Sequence, residues 1–229
     1  MKMEALATVE TGNGLRIAGI ILVVAALGWF VLEAIAASGF PAYSYLGNYI
    51  SDLGVPDLGT FQGRTMNSQL SAVANVMFIT QGTAFLAATI LIVKSATAGP
   101  GRSLFLLFAV GYAIGYVMIG AYHGSEQANA DGTFALHVAG GSLAALSGNA
   151  AMICAALSAH RFGASAAYRN FSLGVCAVSI ASLAILVLTS DTATGNQVVS
   201  GPWDGFWERG GCYAIIIWEL VTGVVLLRR

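Results

Sequence analysis

Six stretches of this chain are apolar for about the length of a bilayer crossing, and that feature decides its fold class. A hydrocarbon core of ~30 Å needs about 20 residues of helix, because inside it only a helix or a closed barrel satisfies the backbone polar groups. Leu15 to Ala37, Leu70 to Val93, Leu104 to Tyr122, Ala135 to Leu157, Phe171 to Leu188 and Gly211 to Leu227 meet that length or nearly so. The expected fold is therefore an all-α integral membrane bundle of six transmembrane helices, one domain over residues 1–229. Composition agrees: 57% of residues are hydrophobic and 9% charged, against roughly 25% charged in soluble domains.

Charge placement orients the bundle. All but two of the ten Lys and Arg residues fall at Lys2, Arg16, Lys94, Arg102, Arg161, Arg169, Arg228 and Arg229, in segments that alternate correctly to share one side. The other side holds only Arg64 and Arg209 but carries Asp52, Asp57, Glu126, Asp131, Asp191, Asp204 and Glu208. The positive-inside rule then puts both termini in the cytoplasm of a multi-pass cell-membrane protein. Lys2 before an apolar run invites a signal-peptide reading, but the run from Leu15 is too long, and a retained first helix is expected.

Several function classes fall away. A net charge of -1 and a pI near 6.3 give no basic footprint, so no nucleic-acid partner is expected. The connections 94–103 and 158–170 are too short for a cytoplasmic domain. Cys154, Cys176 and Cys212 form neither a disulfide framework nor a CxxC metal site and read as packing residues. Neither an internal repeat nor paired broken helices of the transporter kind is found.

Small residues recur at Gly140, Ala144 and Gly148 of the fourth segment and at Gly111 and Gly115 of the third. They predict close helix approach, with the fourth helix central. Trp203, Phe206 and Trp207 suit an interfacial aromatic belt on the outer side.

The first outer loop has a pattern of its own. Leu46, Tyr49, Ile50 and Leu53 follow helical spacing, Asn48, Ser51 and Asp52 share another face, and Gly54 with Pro56 ends the run. A short amphipathic helix over residues 43–53, lying on the outer surface, is predicted. The run Tyr45-Leu46-Gly47-Asn48-Tyr49-Ile50-Ser51-Asp52-Leu53-Gly54, with His-containing helix ends and Ser147-Gly148-Asn149 downstream, resembles the bacterial and archaeal membrane family called domain of unknown function 998. That resemblance implies a multi-span membrane fold and no particular activity.

Candidate site residues gather on the outer side. Tyr112, Tyr116 and His123 lie within about 40° on the third helix at 100° per residue. His137 opens the fourth helix just beyond Glu126 and Asp131. His123, His137, Asp52 and Asp131 have the donor types for a divalent metal such as zinc, although no HExxH or tight His spacing is present. The bland alternative pairs each His with a carboxylate or a helix end. Asp52, His123 and His137 are equally candidate catalytic acids or bases, with Asn48, Ser51, Tyr112, Tyr116 and Glu219 as binding residues. Glu219 falls near the midplane, ~12 Å into the sixth segment at 1.5 Å per residue, where a carboxyl needs a partner or a proton. Glu33 lies a turn from the outer end of the first helix, and Asn75, Gln81 and Asn149 extend the polar interior.

Three functions fit these features. One is a site for membrane lipid or a partner helix, without assigned chemistry. Another is a metal-assisted or His/Asp-assisted enzyme on a lipid or lipid-linked substrate at the outer leaflet. The third is a proton-linked transporter using Glu219.

Overall fold

A computed structural model describes residues 2–95, 100–159, 164–194, 197–199 and 201–228. Arg161 and Arg229, used above to orient the chain, lie outside the described residues. The long helices are α1 (Lys2–Ser38), α2 (Ser71–Ser95), α3 (Pro100–Ala121), α5 (Phe134–Leu157), α6 (Ala166–Thr189) and α7 (Asp204–Leu227), with a short α4 (Glu126–Ala130) before α5. Six are long and apolar enough to cross a membrane, the first from Gly12 to Ser38.

The spans pack as a ring in chain order: α1 on α2, α2 on α3, α3 on α5, α5 on α6, α6 on α7, and α7 back on α1. Lipid is as apolar as leucine, so close van der Waals packing, not burial from water, holds such helices together. The α3–α5 seam is the clearest case. A Cβ on Gly115 would stand 2.5 Å from the Ala144 amide nitrogen and 2.6 Å from the Gly140 carbonyl oxygen, so only glycine lets these backbones approach. The small-residue faces thus act as expected, but α5 is one member of the ring and not its centre. Bulky side chains fill the interior instead: Trp29, Phe85, Tyr112 and Trp218 are each at most 1–2% exposed.

Two helices begin earlier than hydropathy suggests. The predicted spans at 171–188 and 211–227 extend to Ala166–Thr189 and Asp204–Leu227. Asp204, Glu208 and Arg209 look like loop residues by their charge, yet they form the first turns of α7, and Asp204 and Arg209 are buried there. Glu219 accordingly sits about 22 Å from the start of a 24-residue helix at 1.5 Å per residue, and remains in its middle third.

The segment 43–53 departs from the predicted amphipathic helix. It is a series of turns ending in one turn of 3-10 helix, Ser51–Gly54, because its apolar side chains plug the bundle instead of lying across its surface. Ile50 is 1% exposed and Leu53 wholly buried, whereas Leu46 stays exposed. Strands β1 (Gly59–Phe61) and β2 (Arg64–Met66) follow as an antiparallel hairpin pairing Phe61 with Arg64. Gln62 and Gly63 both have positive φ, 50° and 76°, the left-handed pair that a two-residue primed turn requires. Phe61 and Met66 pack with Val55 and Phe134 into a small satellite core. A second pair of strands, β3 (Asp191–Thr194) and β4 (Gln197–Val199), links α6 to α7 at the same end of the bundle.

Candidate functional site

Two ion pairs organise this end of the bundle, one within the 43–66 segment and one between α1 and α7 beneath it. Asp52 accepts a fork from Arg64, Nε to Oδ2 at 2.8 Å and Nη2 to Oδ1 at 3.2 Å. The same carboxylate accepts from Asn48 Nδ2 at 3.0 Å and from the Tyr49 amide at 3.1 Å. Arg64 also lies over the Tyr49 ring, 4.3 Å from its centroid. Both oxygens of Asp52 are therefore committed, and this residue, with Asn48, pins the hairpin to the turn beneath it.

The second pair is deeper. Glu33 is 2% exposed and accepts from Arg209 Nε at 3.1 Å, Trp29 Nε1 at 3.1 Å and the Tyr213 hydroxyl at 2.9 Å. Arg209 spends its remaining donors on the carbonyls of Tyr45 and Asn48, each at 2.8 Å, on Gly205 O at 3.0 Å, and on the Tyr43 hydroxyl. Tyr43 donates in turn to Tyr49 O at 2.9 Å. Burial pushes the Tyr43 phenol well above its ordinary pKa, against the pull of the Arg209 guanidinium, and it remains a neutral donor. Burial raises Tyr49 too, and its hydroxyl donates to Asp204 at 2.9 Å. Neither arginine stood out by spacing. The usable signal was that Arg64 and Arg209 are lone cations on an acidic side, each of which needs a carboxylate once its helix or hairpin is buried.

The two histidines are held separately. His123 follows the end of α3, so the predicted helical stripe stops short of it, and its Nε2 lies 3.4 Å from Asn75 Nδ2. Burial lowers the His123 pKa, and the Asp57 carboxylate opposes that shift. His137 Nδ1 is 2.8 Å from the Tyr122 carbonyl oxygen, and its ring stacks on Phe134. Asp131 turns to Thr133 at the exposed start of α5, accepting from its amide at 2.9 Å and its hydroxyl at 2.6 Å, and those bonds hold its pKa low. Among the described residues no three His, Cys, Asp or Glu side chains gather as a metal-holding group, although Asp52 and His123 both lie near enough to His137 for their charges to act on it.

Tyr112 and Tyr116 face the ring interior, their centroids 4.7 Å apart. Glu219 is fully buried and accepts from Gln81 Nε2 at 2.6 Å. Its Oε1 and the Tyr112 hydroxyl face each other without completing a hydrogen bond of ordinary geometry. Asn149, on α5, donates to Ser179 of α6 at 3.0 Å.

That Asn149–Ser179 bond marks the floor of a cleft. Toward the hairpin end α5 and α6 part, leaving a cavity of about 410 Å³. Gly141, Ser142 and Ala145 of α5 lack the bulk to fill it, Leu183, Leu186 and Val187 of α6 form the facing wall, and Gly211 and Ile215 of α7 line the back. Trp29, Phe78 and Tyr116 close it inward. Leu146 and Val187 at its rim are 73% and 72% exposed, so the mouth opens sideways, through the apolar flank of the bundle. Ser51, His137 and Glu208 supply polar groups to the lining, and the Ile50 amide donates to Glu208 Oε2. Of the residues singled out in the sequence, the cleft thus collects Ser51, Tyr116 and His137; it leaves aside Asp52, Asn48, His123, Asp131, Tyr112 and Glu219.

No curated protein and no solved structure matches the chain. A family model described as protein of unknown function (DUF998) matches residues 23–225, which span all six membrane helices in whole or in large part. With nearly its whole length covered and the six-span bundle in place, the chain belongs to the DUF998 family of membrane proteins.

Proposed function

We propose that this protein binds a membrane lipid in the cleft between α5, α6 and α7, with its hairpin end on the outer face of the cell membrane and its termini in the cytoplasm. The observation that carries the reading is the cavity of about 410 Å³, apolar along its walls, polar at Ser51, His137 and Glu208, and open through a lipid-facing flank. Its size is near the lower end of the roughly 300–1,000 Å³ usual for small-molecule sites, enough for one hydrocarbon chain and a compact head. A lateral mouth inside the membrane-spanning zone admits what surrounds it there, which is lipid. The orientation is supported by Arg16, Lys94, Arg102, Arg169 and Arg228 at the end that carries the termini.

The test fills the cleft. A Cβ on Gly141 would meet no atom within 4 Å, so Gly141→Phe places its ring in open space without pushing on the backbone. Native mass spectrometry of the purified wild type is expected to show one retained lipid, and Gly141→Phe to lose it with an unchanged melting temperature. Equal lipid retention in both proteins would refute the assignment.

A further inference from the structure

We infer that the head of the bound lipid donates hydrogen bonds, as a hydroxyl or a primary ammonium does, and that anionic heads are refused. This rests on the cleft being the lipid site proposed above, and it follows from which atoms line that cleft.

The Tyr122 carbonyl oxygen only accepts, so His137 Nδ1, at 2.8 Å from it, carries the hydrogen. In the neutral ring Nε2 is then an acceptor. Glu208 takes the Ile50 amide on Oε2, and no hydrogen bond to its Oε1 is found among the described residues. Ser51 can turn its hydroxyl either way. The polar lining thus offers a carboxyl and an imidazole acceptor with the adaptable hydroxyls of Ser51, Ser142 and Tyr116, and no cation. Arg64 and Arg209, the two guanidiniums at this end of the bundle, do not line the cleft and are paired with Asp52 and Glu33. A carboxylate or phosphate head would meet Glu208 in a wall that water does not solvate, where the neighbouring Arg209 guanidinium acts on Glu208 but is already bonded to Glu33, whereas an ammonium would pair with Glu208 and a hydroxyl would donate to Glu208 or His137. The volume limits the occupant to a single chain.

The experiment offers the full chain in detergent an equimolar mixture of four sixteen-carbon probes, hexadecanol, hexadecylamine, hexadecanoate and hexadecyl phosphate, and counts adducts by native mass spectrometry. Hexadecanol and hexadecylamine are expected to exceed both anions by about tenfold or more, which corresponds to ~1.4 kcal/mol. Glu208→Gln should cut hexadecylamine retention about tenfold and hexadecanol less, separating the two head types, and Gly141→Phe should abolish both. Retention of either anion at or above the alcohol overturns the head assignment. If all four probes bind equally and Gly141→Phe removes them all, the head assignment fails while the cleft stands. Binding that survives Gly141→Phe, or no binding of any probe to folded wild type, overturns the cleft itself.

Discussion

Replacing Glu33 with Leu strands Arg209 inside the bundle, and the size of the effect follows from the geometry. At the 3.1 Å between Arg209 and Glu33, two unit charges attract by about 5 kcal/mol with an effective dielectric near 20. Removing one partner of a buried pair costs roughly 3–5 kcal/mol, because the other charge keeps its desolvation penalty. At about 2–4 °C per kcal/mol for a chain of this length, Glu33→Leu should lower the melting temperature by ~6–20 °C. Glu33→Gln, which can still accept from Trp29 and Tyr213, should fall by less. The decisive comparison is the double variant Glu33→Leu with Arg209→Met, which removes both charges and should recover at least about 2 kcal/mol relative to the sum of the single losses. Recovery is incomplete because Arg209 also holds the carbonyls of Tyr45 and Asn48. Differential scanning fluorimetry in one detergent measures wild type, Glu33→Leu, Glu33→Gln, Arg209→Met and the double variant. Additive single and double effects, or a Glu33→Leu shift under 2 °C, would refute the assignment of this pair as a coupled buried ion pair.

Gly115→Leu should prevent α3 and α5 from seating and give protein that elutes as aggregate in size-exclusion chromatography, whereas Gly141→Leu, with open space at its Cβ, should elute as wild type. His123 should titrate below the ordinary value of about 6.5 when followed by NMR of the ring protons, since burial penalises its charged form. Its neutral state is favoured in the fold, so the stability it contributes is complete above about pH 6.5 and declines as pH falls through its lowered folded pKa; the loss of melting temperature between pH 8 and pH 5 should shrink in His123→Gln. A cysteine in place of Leu58, which is 79% exposed, should react with a membrane-impermeant maleimide added to intact cells, and labelling only after permeabilisation would reverse the proposed orientation.

What the sequence made readable was what the bilayer dictates. Twenty apolar residues in a row admit one conformation in lipid, so the six helices and the close approach at Gly111, Gly115, Gly140 and Gly148 were accessible from spacing alone. The start of α7 was not, because Glu208 and Arg209 look aqueous until Glu33, Ile50, Tyr45 and Asn48 are brought against them by contacts between distant parts of the chain. The same blindness applies to residues 43–53: their spacing fits a helix, but Ile50 and Leu53 find a better place in the bundle than on its surface. Ser51, Tyr116 and His137 were singled out for separate reasons, without any sign that a cleft joined them, since a cavity is made by what Gly141 and Ala145 lack. Local spacing also left Asp52 without its true partner, Arg64, which arrives only when the Gln62-Gly63 turn folds the hairpin back.

The order of helices around the ring has a consequence for biosynthesis. Each span meets its predecessor as it leaves the ribosome, but α1 waits for the last span before its final neighbour exists. Until α7 is inserted, the Glu33 carboxyl lacks Arg209 and Tyr213 and keeps only the Trp29 indole as a partner. A chain cut short before α7 therefore carries an acid whose partners never arrive, on the face of α1 that the last span would have closed.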